Sequence, residues 1–253
     1  MLDRIRIFDA HFHIIDYRFP IIPNEGYMPD TFTVEDYLDF FRDIKLIGGV
    51  VVAGSFHGGD YSHIKYALDT LGDGFIGVIN PNNRIYREID ELDRIGIRGV
   101  RYNVRRMGRE ILRDIETLST FIYEGKKWHI DLYIENRDIK EYKSLILSLP
   151  KVVIDHFGLT YEGFDDLMEL VSYGVKVKAS GFGRLDFDWM WALDELIKID
   201  PGSVIFGSDL PGTRVERKFD WSDIERIALT FDSEIADRIL WRNAFDFYFN
   251  PTL

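Results

Sequence analysis

Two histidines stand two residues apart in Asp9-Ala10-His11-Phe12-His13, at the end of an apolar run. On a strand, residues i and i+2 share a face. Two imidazoles converging on one point suit metal ligation or polarisation of a carbonyl. A pair of core histidines bonded to neighbouring strands is the plainer alternative. A third histidine closes another apolar run, Val152-Val153-Ile154-Asp155-His156, and Asp209 closes a third, Val204-Ile205-Phe206-Gly207-Ser208-Asp209. A carboxylate after a buried strand is costly unless paired or hydrogen-bonded. Its plain alternative is a helix cap or turn residue before Pro211. Cations follow the same rule of position. Arg101 lies inside a strand end, Arg105 and Arg106 lie just beyond it, and Arg184 follows Ser180-Gly181-Phe182-Gly183. Arginine grips carboxylates in a planar, bidentate way, so several at one mouth imply an anionic substrate. Singly, Arg105 and Arg106 read equally well as surface ion-pair partners. Ser55 ends a further run and His57 follows it. His63 and His129 fit no such pattern and read as structural, His129 at the bottom end of its strand.

These residues need elements to hold them. Eight short β-branched runs recur: Ile5–His13, Gly49–Ser55, Phe75–Ile79, Gly99–Asn103, Ile130–Glu135, Val152–Phe157, Val175–Ser180 and Val204–Ser208. Several are almost wholly apolar, as strands covered on both faces are. Amphipathic stretches separate them: Val34–Ile47, Tyr61–Leu71, Ile85–Ile95, Arg109–Lys127, Ile139–Leu149, Phe164–Tyr173, Trp189–Ile199 and Trp221–Phe231. A last helix is expected over Ser233–Phe249. Eightfold alternation predicts a (β/α)8 barrel spanning 1–253 as one domain, with an extra C-terminal helix. A doubly wound open sheet is the competing architecture. In a barrel, His11, His13, His156 and Asp209 would face one another at the C-terminal mouth. The Asp16–Thr33 stretch, with Pro20, Pro23, Gly26 and Pro29, is a long loop expected to lie over that mouth as lid or wall.

Composition removes other classes. The net charge of −12 argues against a nucleic-acid surface. The absence of cysteine excludes disulfides and thiolate metal sites. No apolar run reaches the length of about 18 residues that a membrane span requires. The charged start Met1-Leu2-Asp3-Arg4 does not read as a signal peptide, so a cytoplasmic enzyme is expected.

The assembled motifs resemble the amidohydrolase superfamily, in its branch that contains 2-pyrone-4,6-dicarboxylate lactonase. The resemblance runs over nearly the whole chain. It rests on Asp9–His13, Phe19-Pro20 with Tyr27-Met28-Pro29, Ser55–Gly58, Gly99–Asn103, Asp155–Gly158, Lys178–Gly181, Gly207–Pro211 and Ile239–Ala244. It implies a hydrolase that opens a small carboxylated lactone. Asp209 would deprotonate water while His11, His13 and His156 polarise the carbonyl. Arg101, Arg184 and one of Arg105 or Arg106 would hold carboxylates, with Tyr27, Ser55, His57 and Tyr133 as further pocket residues. Two departures bear on the substrate. Leu210-Pro211 stands where the branch often has Trp-Pro, and the spacing beyond Arg101 is shortened.

Strand four ends in Arg101-Tyr102-Asn103, without the lysine that bridges two metals, and strand five carries no histidine at its end. A two-metal site is not expected. The resemblance implies hydrolysis with no obligatory cofactor, but one divalent metal such as zinc on His11, His13, His156 and Asp209 is chemically reasonable. A mononuclear amidohydrolase or aromatic-acid decarboxylase is therefore the alternative, and a silent barrel that binds an acidic metabolite is a third. The oligomeric state is open, a homodimer included.

Overall fold

Parallel strands form a ring here because each is followed by a helix that carries the chain back over the outside. The computed structural model describes residues 5–250. The order is β1 (Arg6–Phe12), α1 (Val34–Phe40), β2 (Lys45–Val52), α2 (Ser62–Leu71), β3 (Phe75–Ile79), α3 (Ile85–Arg94), β4 (Ile97–Asn103), α4 (Val104–Met107), α5 (Ile115–Lys126), β5 (His129–Tyr133), α6 (Asn136–Ser148), β6 (Val152–Ile154), α7 (Phe164–Ser172), β7 (Lys176–Ala179), α8 (Trp189–Ile199), β8 (Val204–Phe206), α9 (Trp221–Thr230), α10 (Ser233–Asp237) and α11 (Asn243–Phe249). The strands pair in sequence order, all parallel. The seam closes just beyond β8. Leu210 bridges Phe12, the Asp209 amide donates to the His11 carbonyl at 2.7 Å, and the His13 amide donates to Leu210 at 2.8 Å. This is a closed (β/α)8 barrel, not an open doubly wound sheet.

Three helices depart most from the sequence pattern, the first for a tertiary reason. The expected helix Val34–Ile47 stops at Phe40, because Lys45 and Leu46 already pair with Arg6 and Ile7 of β1. The expected Arg109–Lys127 helix begins as a 3-10 turn over Arg109–Asp114. Before it, α4 is capped by the Asn103 side chain, which accepts from the Arg106 amide at 3.1 Å, and ends at Gly108 with φ 80°. The final helix is interrupted by a π-helical turn over Arg238–Arg242.

Two apolar clusters hold the ring. In the larger, strand residues pack under the helices; Phe12 stacks on Tyr37 of α1 with centroids 3.8 Å apart. In the smaller, Phe8, Val50, Val52 and Ile76 meet Ala244 and Tyr248 of α11. That helix covers the bottom of the barrel: Asn243 donates to the Val204 carbonyl at 2.8 Å, and Tyr248 packs on Phe8 and His129. Among the described residues no helix is long and apolar enough to cross a membrane. Met1–Arg4, read as lacking a signal sequence, lies outside the described residues.

Asp9 staples the seam. Its carboxylate accepts from the Ser208 amide (2.8 Å), the Ser208 hydroxyl (2.6 Å), the Tyr37 hydroxyl (3.2 Å) and the His11 amide (3.3 Å). Burial pushes this carboxyl up to about 6, against the pull of those bonds. The neighbouring Gly207 leaves no room: a Cβ there would lie 2.7 Å from His11 Cβ and 3.0 Å from the His11 amide nitrogen. Gly207→Ala is therefore expected to destabilise the fold by about 1–3 kcal/mol through overpacking. Denaturant unfolding measures this, and an unchanged midpoint would show the seam to be looser than described.

Candidate active site

The C-terminal strand ends deliver four side chains to one point. His11 and His13 come from the end of β1, His156 follows β6 and Asp209 follows β8. All four are buried. Asp209 Oδ1 lies 3.9 Å from His11 Nε2, 3.7 Å from His13 Nε2 and 3.9 Å from His156 Nε2. His156 and Asp209 both adopt left-handed backbone, φ 53° and 57°. For non-glycine residues this is strained, and it recurs at functional positions. The seam bonds to His11 and Leu210 hold the Asp209 turn in place.

The outer nitrogens of two rings are fixed by neighbours. His13 Nδ1 is 2.7 Å from the Val52 carbonyl, which can only accept, so the ring proton sits there and Nε2 presents a lone pair. His156 Nδ1 pairs with the Ser180 hydroxyl at 2.8 Å. Arg184 Nε donates to Asp209 Oδ2 at 2.6 Å and leaves Oδ1 facing the histidines with no hydrogen-bond partner. Burial pushes the Asp209 carboxyl up, but Arg184 and the imidazoles outweigh it and hold it well below the usual carboxylate range. Burial also keeps His11 and His156 neutral, lowering His11 to about 3 and His156 well below its usual value.

The donor set suits a divalent cation in its layout. His11, His13 and Asp209 each offer a ligand atom within 4.8 Å of the others. The gaps to Asp209 Oδ1 exceed by a few tenths of an ångström the edge of about 3.4 Å expected for a tetrahedral zinc shell. His13 and His156 also carry the outer partners that orient ligating imidazoles. His11 differs, because its Nδ1 faces the ammonium of Lys178 at 3.3 Å.

A layer of paired charge underlies this cage. Arg101 Nε donates to Asp155 Oδ2 at 2.8 Å, and Lys178 Nζ donates to Asp131. Sequence reading missed Lys178, Asp131 and Asp155 as site residues. Their signal was present: charged residues at alternating positions of apolar strands, Arg101 with Asn103, Asp131 with Tyr133 and Lys178 with Ser180.

The cage opens into an inner cavity of about 30 Å³, bordered by Ser55, Arg101, Asn103 and Tyr133. That admits a water, which needs roughly 10–15 Å³. Arg106, Arg184 and Arg214 border both this cavity and an outer chamber of about 380 Å³. Among the described residues Arg106 has no carboxylate within ion-pair distance. Burial, with the guanidinium groups of Arg214, Arg105 and Arg184, pushes it below its usual range. Another cavity of about 410 Å³ lies at the opposite end of the barrel, around Lys151 and Phe247, away from the clustered residues.

Three expected pocket residues stand elsewhere. Arg105 reaches the outer chamber, but its Nε is 2.6 Å from Glu135. Tyr27 lies under the guanidinium of Arg214, 4.3 Å from its ring centroid, and does not border the inner cavity. It belongs to the long loop, which is tied down: Ile22 bonds Phe56, and Arg214 donates to Asn24. The loop is thus anchored behind Phe56 and Arg214, and none of its residues lines either cavity, so it is not the wall expected; Arg214 is a rim cation that the sequence did not single out. His57 turns away from the cavity. Its ring stacks on His63 at 3.6 Å, and its Nδ1 accepts from the Gly54 amide at 3.0 Å, bracing the turn that presents Ser55.

The comparisons place the chain by class first. The amidohydrolase family matches residues 8–249, and the chain belongs to that family of hydrolases. More particularly, it is similar to a 4-sulfomuconolactone hydrolase of Rhizobium radiobacter, 24% identical over 91% of this chain and 85% of that one. An Agrobacterium tumefaciens structure shares the fold at TM-score 0.83, with 15% identity over 96% of this chain and 95% of that one. A protein of Acinetobacter baumannii, described as a probable 2-pyrone-4,6-dicarboxylic acid hydrolase and solved with citric acid, superposes at TM-score 0.75, with 22% identity over 96% of this chain and 98% of that one.

The stacked pair makes a pH prediction. Burial lowers His63 to about 3 and His57 well below its usual value. Each is neutral when folded but takes up a proton below about 6.5 when unfolded. Stability is therefore full above that pH and is lost as pH falls, by about 2 kcal/mol for His63 at pH 5, with His57 acting in the same direction. Asp9, raised to about 6, works the other way over its own window and offsets part of this. His63→Phe keeps the stack and should flatten the fall in melting temperature between pH 7 and 5. An unchanged slope would refute the assignment.

Proposed function

We propose that the protein hydrolyses a small lactone bearing at least one further anionic group, with Asp209 as general base. The observation that carries this is the unbonded Asp209 Oδ1 among three imidazoles, opening beside the carboxylate-free Arg106. The names of the relatives point the same way. A sulfomuconolactone and a pyrone dicarboxylate are both anionic lactones, and the Acinetobacter structure holds a tricarboxylic acid.

In this reading a water occupies the inner cavity between Asp209 Oδ1 and the lone pair of His13 Nε2. Asp209 takes its proton as the oxygen bonds to the lactone carbonyl carbon. His11 and His156 lie where negative charge develops on the carbonyl oxygen; a well-placed donor there is worth about 2.7–4 kcal/mol. Collapse breaks the bond to the ring oxygen, which takes the proton back from Asp209. Arg184 keeps Asp209 ionised and oriented. Arg106 and Arg214 grip the substrate's free anion, with Arg101, Tyr133 and Ser55 shaping the inner wall.

The four-atom cage also supports the alternative of a mononuclear metal enzyme. His11, His13, His156 and Asp209 would hold a divalent ion, which when bound would supply Lewis acidity toward the carbonyl oxygen. Metal content by elemental analysis, with turnover before and after chelation, separates the two readings.

A panel of lactones with and without carboxylate or sulfonate groups tests the proposal. Asp209→Asn should lower kcat by about 10²–10⁴-fold, the usual worth of a general base. Retained turnover would remove Asp209 from its role. Arg106→Ala should raise KM for anionic lactones about tenfold or more and leave kcat nearly unchanged, as lost uniform binding does. An equal rise for neutral lactones would show that Arg106 does not read substrate charge.

A further inference from the structure

Lys178 is fully buried on β7, two residues before Ser180. Its Nζ donates to Asp131 and lies 3.3 Å from both Asp155 Oδ1 and His11 Nδ1. An ammonium has three N–H donors and no lone pair. Its contact with His11 Nδ1 can be a hydrogen bond only if that nitrogen accepts. The ring proton must then sit on Nε2, which points into the cage.

The opposite tautomer has a poorer partner. Asp155 Oδ1 is also 3.3 Å from His11 Nδ1 and its charge favours a proton there, but the contact lacks hydrogen-bond alignment, Lys178 Nζ faces the same oxygen at 3.3 Å, and Oδ2 is taken by Arg101. His13 is set the other way by the Val52 carbonyl.

We infer that Lys178 is a positioning residue that fixes His11 as its Nε2–H tautomer, so that the cage offers a donor from His11 and a lone pair from His13 to the same gap. The consequence for hydrolysis rests on the function proposed above; the tautomer does not. With Nε2–H, His11 can donate to a developing oxyanion without first taking up a proton. The same device works against a cation. A metal needs the His11 lone pair at Nε2, which would move the ring proton to Nδ1 against an ammonium. Lys178 thus biases a cage of metal-ligand composition toward hydrogen-bonding chemistry.

The test is the tautomer itself. Full-length protein labelled with ¹⁵N-histidine gives long-range ¹H–¹⁵N correlations for its six histidines, with His11 assigned by its loss in His11→Gln. His11 should show a protonated Nε2 and a bare Nδ1, and His13 the reverse. A protonated Nδ1 on His11 overturns the inference. This measurement needs no substrate, so it can succeed where the proposed function fails.

The double variant Lys178→Met with Asp131→Asn removes both members of one buried pair and leaves neither charge alone. It should move the His11 proton to Nδ1, raise zinc affinity at least tenfold in a chelator competition and lower lactone turnover. A folded double variant with unchanged zinc affinity also overturns the inference. If that variant does not fold, the wild-type spectrum decides alone.

Discussion

Three cations and three carboxylates sealed in the barrel constrain everything around them: Arg101 on Asp155, Lys178 on Asp131 and Arg184 on Asp209. Removing one member would strand a buried charge, at about 3–5 kcal/mol. Pairs of this kind gain little over apolar packing of the same volume. Their value here lies in the field they make. Because the six charges balance, His11 and His156 can stay neutral in a site where burial disfavours imidazolium.

That balance divides labour within the site. Arg184 takes one oxygen of Asp209 and leaves the other without a hydrogen bond, facing the imidazoles. The Val52 carbonyl, the Ser180 hydroxyl and Lys178 each occupy the outer nitrogen of one imidazole. Three rings of identical composition thereby acquire different surroundings. The same four residues can look like a metal site by composition and act differently by protonation.

The backbone carries part of the burden. His156 and Asp209 leave their strands in left-handed turns, and the Asp9 staple and the seam bonds hold the second of these in register with β1. The rim is built more loosely. Arg106 and Arg214 come from the stretches after β4 and β8, and Arg214 is tied to the long loop after β1. In the proposed reading chemistry sits on strand ends and selection of substrate charge on loops, the usual partition in barrels of this class.

The barrel and its four central residues were legible in the sequence because both are local signals. Apolar runs alternate with amphipathic stretches, and a polar residue closing an apolar run marks a strand end. The missed boundary at β2 and the reorientation of His57 arose where a tertiary contact overrode a local pattern. The charged layer was half legible, as alternation within strands, but its pairing was not. Lys178 meets Asp131 across 47 residues, Arg101 meets Asp155 across 54, and Lys178 meets His11 across 167. Whether an arginine is free for substrate, or which nitrogen of a histidine carries its proton, depends on such partners. The sequence by itself determined which groups stand at the mouth of the barrel. Only the closed ring, by bringing distant strands within hydrogen-bond reach, decided which of them are already engaged.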